Sequence, residues 1–158
     1  MPFFIQKCPN HLWHHCPNQN GTTVRTESAS LSNLLRFLQQ QEVPILGGKV
    51  RMYWSACPKG CGIHGVADIG FEGCKAKDTE GNNVDGVHIY LGGKATKGAT
   101  EARVLYKAIP LTEAKYKVTK LMKLYKDEKE DHESFEAYDS RVLSAKSSEE
   151  IVNILEAI

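Results

Sequence analysis

The chain has 158 residues, 41% of them hydrophobic and 25% charged, and its 20 basic residues nearly balance its 19 acidic ones. These values are typical of one globular domain with its own core, and they exclude nucleic acid or an anionic membrane surface as the expected partner. Because no apolar stretch approaches the roughly 20 residues of a membrane-spanning helix and the N-terminus lacks the pattern of a signal peptide, we expect the chain in the cytoplasm or a plastid stroma.

Residues 1–22 form a distinct opening that is rich in Pro, Asn, His and Cys. The segment has no helical or strand period, so we interpret it mainly as loop and as a divergent segment before a domain over residues 23–158. It contains two of the chain's five cysteines, Cys8 and Cys16, and the others are Cys57, Cys61 and Cys74. In a reducing compartment, an odd and unevenly spaced set of cysteines indicates metal or redox chemistry before disulfides.

The middle of the chain predicts one helix followed by three strands. The helix is indicated by four leucines at helical spacing, with Ser28 or Ser30 as its cap; they are Leu31, Leu34, Leu35 and Leu38. Strands are expected over residues 49–55, 66–71 and 87–91, and residues 78–86 are dense in turn formers. Pro58, directly after Cys57, favours the first turn of a further helix.

Three helices are expected to close the chain. Thr112 is the candidate cap of the first, and the second covers residues 133–143, with Phe135 and Tyr138 in the core. The third begins at a capping box of Ser147 and Glu150. The apolar stripe of the first helix is Val118, Leu121, Met122 and Tyr125. Strands in the middle and helices at the ends predict an α+β fold, a mixed β-sheet flanked by helices with a helical C-terminus.

The segment Cys57-Pro-Lys-Gly-Cys61 is the most informative about function. On a helix the two thiols would lie one turn apart on the same face, and the free N–H groups of a helix N-terminus favour thiolate over thiol. Gly60, Gly62 and Gly65 would let a bulky cofactor approach the backbone. The spacing alone leaves an iron–sulfur cluster, a zinc site and structural cysteines open.

The residues around this pair carry a resemblance to a known family. Ser55-Ala-Cys57-Pro-Lys-Gly-Cys61, followed after six residues by Asp68-Ile-Gly-Phe71, resembles the iron–sulfur/sirohaem signature of nitrite and sulphite reductases. The likeness extends over about residues 45–143. The sequence Ala-Asp-Ile-Gly-Phe at 67–71 is more similar to the nitrite branch of the family than to the sulphite branch. Ala56 stands where the family usually has Gly, and Lys59 where it often has Asn.

The resemblance implies the family's α+β half-domain, a [4Fe–4S] cluster and a sirohaem. Cys57 and Cys61 match two cluster ligands, and Cys61 matches the thiolate that bridges to the sirohaem iron. The family's other two ligands form an upstream C-x5-C pair. Cys16 stands at its first position and Thr22 at its second, so Cys16 is the expected third ligand, with Cys8 or a non-Cys group as the fourth. Ferredoxin or a similar donor would supply single electrons for the six-electron reduction of an oxyanion.

Other interpretations of these residues stay open. Cys8 and Cys16, with histidines at 11, 14 and 15, have the donor types of a separate zinc site. Family enzymes are several times longer and hold the sirohaem and the anion with earlier parts of their chains. We therefore expect a redox module that a complementing N-terminal reductase chain completes and that is inactive or weak alone. The alternatives are a non-catalytic cluster- or metal-binding protein derived from the family, and a fragment that keeps only the fold.

Three minor candidates complete the set. Five lysines of the first C-terminal helix either dock an acidic electron donor or form a solvated face; they are Lys115, Lys117, Lys120, Lys123 and Lys126. His64 is expected as a surface or hydrogen-bonded residue, with a position facing the haem as the alternative. Cys74 is expected to be structural.

Overall fold

A computed structural model of the protein describes residues 3–6, 34, 36–38, 50–60 and 62–158. A five-stranded sheet with the order β1-β2-β3-β4-β5 forms its centre. The strands are β1 Phe3–Gln6, β2 Val50–Ser55, β3 Ile69–Lys77, β4 Asn83–Leu91 and β5 Arg103–Pro110. The first three run parallel, and β4 is antiparallel to both of its neighbours. The sheet is therefore mixed, as predicted.

The helices follow the sheet in sequence, apart from α1, of which residues 34 and 36–38 are described. The others are α2 Leu111–Glu128, α3 Phe135–Tyr138 and α4 Ser148–Glu156, and a π-helical turn over Asp139–Leu143 continues α3. Residues 34 and 36–38 are helical and Leu34 and Leu38 are buried, which confirms the described part of the helix predicted from the four leucines. Its other two leucines and its candidate caps at 28 and 30 lie outside the described residues. Within the described part of the chain, no helix has the length and apolar character that crossing a bilayer requires.

The sheet has one apolar and one polar face, because side chains alternate along each strand. On the apolar face, strand residues pack against the C-terminal helices in one core. That core includes Met52, Trp54, Ile69, Phe71, Ile89, Leu91, Leu121, Tyr125, Phe135, Tyr138, Ile151 and Leu155. The predicted stripe of α2 lies in it, and so do both aromatic residues predicted for the core.

The polar face lies under the connection between β2 and β3, residues 56–68. Parallel strands require such a crossover, and its described residues include a 3-10 turn over His64–Val66. The connection lies directly on backbone, since a Cβ added at Gly70 would be 2.2 Å from the His64 carbonyl oxygen. A Cβ at Gly93 would be 2.6 Å from the carbonyl oxygen of Ala67. Glycine at these two positions is what allows the close contact.

Several predicted boundaries are wrong. Strand β5 leads straight into α2, so Pro110 occupies the N-cap without a side-chain hydrogen bond and Thr112 is not the cap. The predicted helix over residues 133–143 begins only after Ser134, whose hydroxyl accepts from Ala137 N, and it widens into the π-helical turn. The capping box of Ser147 with Glu150 is confirmed.

Strands β1 and β5 were not predicted. β1 lies within the segment interpreted mainly as loop, and the division of the chain at residue 22 stays a prediction. In β5 the alternation of apolar residues is broken, because Ala108 has a φ of 47° and the register to β4 shifts there. Such a bulge removes the period-2 pattern that announces a strand.

Candidate functional site

Cys57 lies two residues beyond the end of β2 and is buried, with 5% of its surface exposed. The chain turns immediately, since Gly60 N donates to the Cys57 carbonyl at 3.1 Å and Ile63 N donates to the Gly60 carbonyl at 2.8 Å. Gly60 has a φ of 70° and Ile63 a φ of 49°, both in the left-handed region. These residues interrupt any right-handed helix, so the helix predicted after Cys57 is wrong and successive turns stand in its place.

Gly62 brings the chain back against the end of β2. A Cβ at this position would lie 2.0 Å from the carbonyl oxygen of Trp54, so no residue but glycine fits there. Its N–H donates to the Ser55 hydroxyl at 3.1 Å. The two ends of the described turn, Cys57 and Gly62, are therefore both attached to the carboxyl end of the same strand.

Two hydrogen bonds and one charge contact connect polar side chains on the polar face beside this turn. Ser55 Oγ lies 2.7 Å from His64 Nδ1, and His64 Nε2 lies 3.2 Å from Glu72 Oε2. The Tyr90 hydroxyl donates to the same Glu72 oxygen at 2.7 Å. Burial lowers the pKa of His64 despite the nearby Glu72 carboxylate. Desolvation, with Glu72 beside the phenol, raises the pKa of Tyr90 to about 12.

A second polar group anchors the other end of the connection. Asp68 is 2% exposed and accepts from Arg51 three times, through the backbone N at 2.6 Å, Nε at 3.2 Å and Nη2 at 2.7 Å. Arg51 also pairs with Glu136 at 2.7 Å, which links the connection to α3. The hydrogen bonds to Asp68 raise the pKa of Arg51. The acidic residue of the sequence signature thus has a structural role here.

The structure describes one of the four predicted cluster ligands, Cys57. Cys61, Cys16 and Cys8 lie outside the described residues, as do the histidines at 11, 14 and 15. Over the described ranges, no group of three or more His, Cys, Asp or Glu side chains is arranged to hold a metal ion. The ligand set therefore stays a prediction. Cys74 is half-buried in β3, and desolvation raises the pKa of its thiol, as expected of an unreactive cysteine.

The lysines of α2 are largely engaged within the chain. Lys117 and Lys120 pair with Glu156, at 2.5 Å and 3.5 Å. The ammonium of Lys115 lies 5.0 Å from the centroids of both the Phe37 and Tyr116 rings. These contacts involve three of the five lysines, while Lys123 and Lys126 are exposed, so the solvated face and the docking surface both stay predictions.

Sequence reasoning missed Glu72 and Tyr90 and left His64 undecided. The three residues belong to different elements, and it is the strand register that brings them together, with Ser55 opposite Glu72 and Gly70 opposite Tyr90. The signal available was the strand period alone, which places Glu72 on the face opposite Phe71.

Comparison with known proteins gives one family. Residues 10–151 match the family described as the nitrite and sulphite reductase 4Fe-4S domain. The chloroplastic ferredoxin–nitrite reductase of Zea mays is 44% identical over 61 residues, which cover 39% of this chain and 11% of that protein. The ferredoxin–nitrite reductase of Leptolyngbya laminosa is 34% identical over 96 residues, 61% of this chain and 18% of that one.

The chloroplastic ferredoxin–nitrite reductase of Pinus sylvestris is 36% identical over 73 residues, 46% of this chain and 70% of that sequence. Among solved structures, the NirA protein of Mycobacterium tuberculosis superposes with a TM-score of 0.58 at 20% identity. That superposition covers 81% of this chain and 22% of NirA, and it confirms the α+β fold. The chain spans about a tenth of the length of the first of these relatives. The family match over residues 10–151, most of this chain, shows that the chain belongs to the nitrite and sulphite reductase 4Fe-4S domain family.

Proposed function

We propose that this chain is the electron-transfer and cofactor module of a nitrite reductase-like enzyme, binding a [4Fe–4S] cluster coupled to sirohaem. The observation that carries the proposal is the position of Cys57, a buried thiol in a glycine-lined turn at the carboxyl end of β2, within the segment that matches the family.

The described residues are suited to a thiolate-held cluster. Cys57 is shielded from water, and Gly60 and Gly62 present no side chains beside it. We propose Cys61, which joins these two glycines, as the second ligand and the bridge to sirohaem. Cys16 would be the third ligand, and Cys8 or a non-Cys group the fourth. When bound, the cluster stores and transfers single electrons. The chain's own residues hold the thiolates, fix the turn and limit the access of water.

The relatives guide the proposals about partners. The curated relatives described above are named ferredoxin–nitrite reductases, which supports nitrite as substrate and a ferredoxin-type protein as electron donor. Two of them are named chloroplastic, which is consistent with a plastid stroma as an alternative to the cytoplasm. Since the chain matches a small part of such enzymes, we propose that a complementing reductase chain supplies the regions that bind the anion.

The first experiment measures iron and sulphide after anaerobic reconstitution of the full chain. We expect about four irons per chain in the parent, and loss of iron in Cys57→Ser and in Cys61→Ser. Cys74→Ser is the matched control and should retain the parent's content, because Cys74 is half-buried in β3 and matches no family ligand. Parent-like iron in both ligand variants would contradict the assignment.

The second experiment tests activity with methyl viologen as the reductant and nitrite or sulphite as the substrate. Catalysis of oxyanion reduction needs cations placed around the substrate, so we expect little turnover by the reconstituted chain alone. Turnover should appear when a chain with the upstream reductase domains is co-expressed. Turnover of ~1 per second or more by the isolated chain would show that no partner is needed. Cluster binding without turnover in either case would identify a non-catalytic member of the family.

A further inference from the structure

We propose that His64 is a positioning residue for the cysteine turn, the part of the chain that leaves β2 at Cys57 and returns to it at Gly62. His64 holds the Ser55 hydroxyl in the orientation that accepts from Gly62 N–H. That bond attaches the chain following Cys61 to the end of β2. This inference rests on the proposed function for its connection to the cluster. The proposed role is supported by the series Ser55, His64, Glu72 and Tyr90, called the polar relay below, in which hydrogen bonds join Ser55 to His64 and Tyr90 to Glu72 and a charge contact joins His64 to Glu72.

With His64 neutral, the polar relay has one consistent set of donors. The Glu72 carboxylate lies 3.2 Å from His64 Nε2, and its charge favours the proton of the neutral ring on that nitrogen. In the neutral ring Nδ1 is then an acceptor, and the Ser55 hydroxyl donates to it at 2.7 Å. The Ser55 oxygen is left to accept from Gly62 N–H at 3.1 Å. Glu72 thus sets the tautomer of His64, and His64 sets the direction of the Ser55 hydroxyl.

The location of Ser55 excludes a different role. A serine, a histidine and a carboxylate in one hydrogen-bonded series have the composition of a hydrolytic triad. Ser55 is 1% exposed, however, and its hydroxyl is used on both sides by Gly62 and His64. A nucleophile must be reachable by substrate, so the relay fixes structure and does not attack a substrate.

The strained residue Ile63 shows what the relay holds in place. Ile63 is β-branched, has a φ of 49° and is 44% exposed, so its own side chain contributes little to keeping it in the left-handed region. Its two neighbours, Gly62 and His64, both bond to the same Ser55 oxygen. One hydroxyl therefore clasps the chain on both sides of the strained residue. Strain of this kind persists where surrounding contacts enforce it, and it concentrates at functional sites.

Two substitutions of His64 distinguish the role of its Nδ1 from that of its Nε2. In His64→Asn the amide falls near the Nδ1 position and can still accept from Ser55, whereas in His64→Gln it falls near Nε2 and can still donate to Glu72. If positioning of Ser55 is the role of His64, the Asn variant should keep the properties of the parent. His64→Gln and Ser55→Ala should lose them.

The test uses the full chain, reconstituted anaerobically, and measures the rate of iron loss to a chelator and the reduction potential of the cluster. Removing an outer partner of a metal site typically weakens it about 10–100-fold. We therefore expect iron loss to accelerate by about that factor, and the potential to shift, in His64→Gln and Ser55→Ala. His64→Asn should match the parent in both. Three results would each overturn the proposal. Iron loss and potential could match the parent in all variants, they could match it in His64→Gln but not in His64→Asn, or they could change equally in both His64 variants.

A cluster-free measurement separates this inference from the proposed function. Hydrogen exchange of the Gly62 amide, followed by NMR in the metal-free chain, reports the Ser55 bond directly. Protection should be present in the parent and in His64→Asn and lost in His64→Gln and Ser55→Ala. If the parent takes up no iron but shows this pattern, the proposed function fails and the positioning role stands. An unprotected Gly62 amide in the parent overturns the positioning role itself.

Discussion

The two faces of the sheet are held in different ways. On the apolar face, large side chains such as Phe71, Tyr125 and Phe135 fill a common core with the helices. On the polar face, the connection over residues 56–68 is held by close backbone contact at glycines and by directional bonds at Ser55 and Asp68. Dispersive packing depends on the buried volume and tolerates swaps that conserve it, whereas a close backbone contact or a buried polar pair depends on exact local geometry. Stability should therefore depend mostly on the first face, and the site on the second.

The largest effect on stability is expected from Phe135→Ala. Phe135 is fully buried and packs with Tyr125 and Tyr138, at centroid distances of 5.1 and 6.0 Å. The cavity should lower the free energy of unfolding by about 4 kcal/mol, measured by urea titration. Iron content per folded chain should stay at the parent's value, because the aromatic cluster lies on the other face. Lys123→Ala, on the exposed side of α2, is the control and should change stability by less than about 0.5 kcal/mol. Selective loss of iron would break the comparison of the two faces.

Gly62→Ala should have the next largest effect, and it should act on the site. The new Cβ would lie 2.0 Å from the Trp54 carbonyl oxygen, so the turn must move away from β2. We expect a loss of about 3 kcal/mol in the free energy of unfolding, together with failure to retain iron.

Gly65→Ala is the matched control in the same connection. A Cβ there meets nothing closer than Glu101 Cγ at 3.9 Å, an ordinary contact. Urea titration and iron analysis should both return values near the parent's. Equal behaviour of the two alanine variants would mean that the packing of Gly62 does not define the site.

Asp68→Asn tests the polar pair that holds the connection at its β3 end. The substitution removes the charge that pairs with Arg51, while Glu136 remains within 2.7 Å of the guanidinium. We expect the free energy of unfolding to fall by about 2 kcal/mol, the scale of a hydrogen bond to a charged group. Asp127→Asn, at an exposed position of α2, should leave it unchanged. A cost at Asp68 no greater than at Asp127 would show that this buried pair does not hold the connection.

The two faces also differ in how much of them the sequence predicts. The stripe of α2 and the capping box of α4 follow from spacing alone, since helical period and cap chemistry are local properties. The cysteine turn was predicted as a helix, because Pro58 suits a helix start and nothing local shows that Gly60 and Ile63 adopt positive φ. The Glu72 partner of His64 could not be predicted, because it depends on the register of β2 against β3, a non-local property.

The smallest effect expected is a pH dependence of stability carried by His64. Its imidazole is buried against Ser55 and Glu72, and burial lowers its pKa below the ordinary value of 6.5. The charges of Glu72 and Glu101 act in the opposite direction, and His88 adds to the lowering. Since the folded state resists protonation more than the unfolded state, the unfolded chain takes up the proton first as the pH falls. The contribution of His64 to stability is therefore complete above 6.5 and is lost as the pH falls toward the lowered pKa of the folded state.

His64→Asn isolates the pH-dependent contribution of His64 to stability, because asparagine does not titrate and is expected to keep the bond to Ser55. Urea titrations of the parent and the variant at several pH values between about 7.5 and 5 should show the parent losing stability more steeply. The difference between the two curves removes the contributions of other titrating groups that the proteins share. Parallel curves would mean that His64 has the same proton affinity folded and unfolded. If the parent instead gains stability on acidification, the folded state holds the His64 ring as the cation. Nδ1 would then donate to Ser55, which reverses the direction assigned to that hydrogen bond.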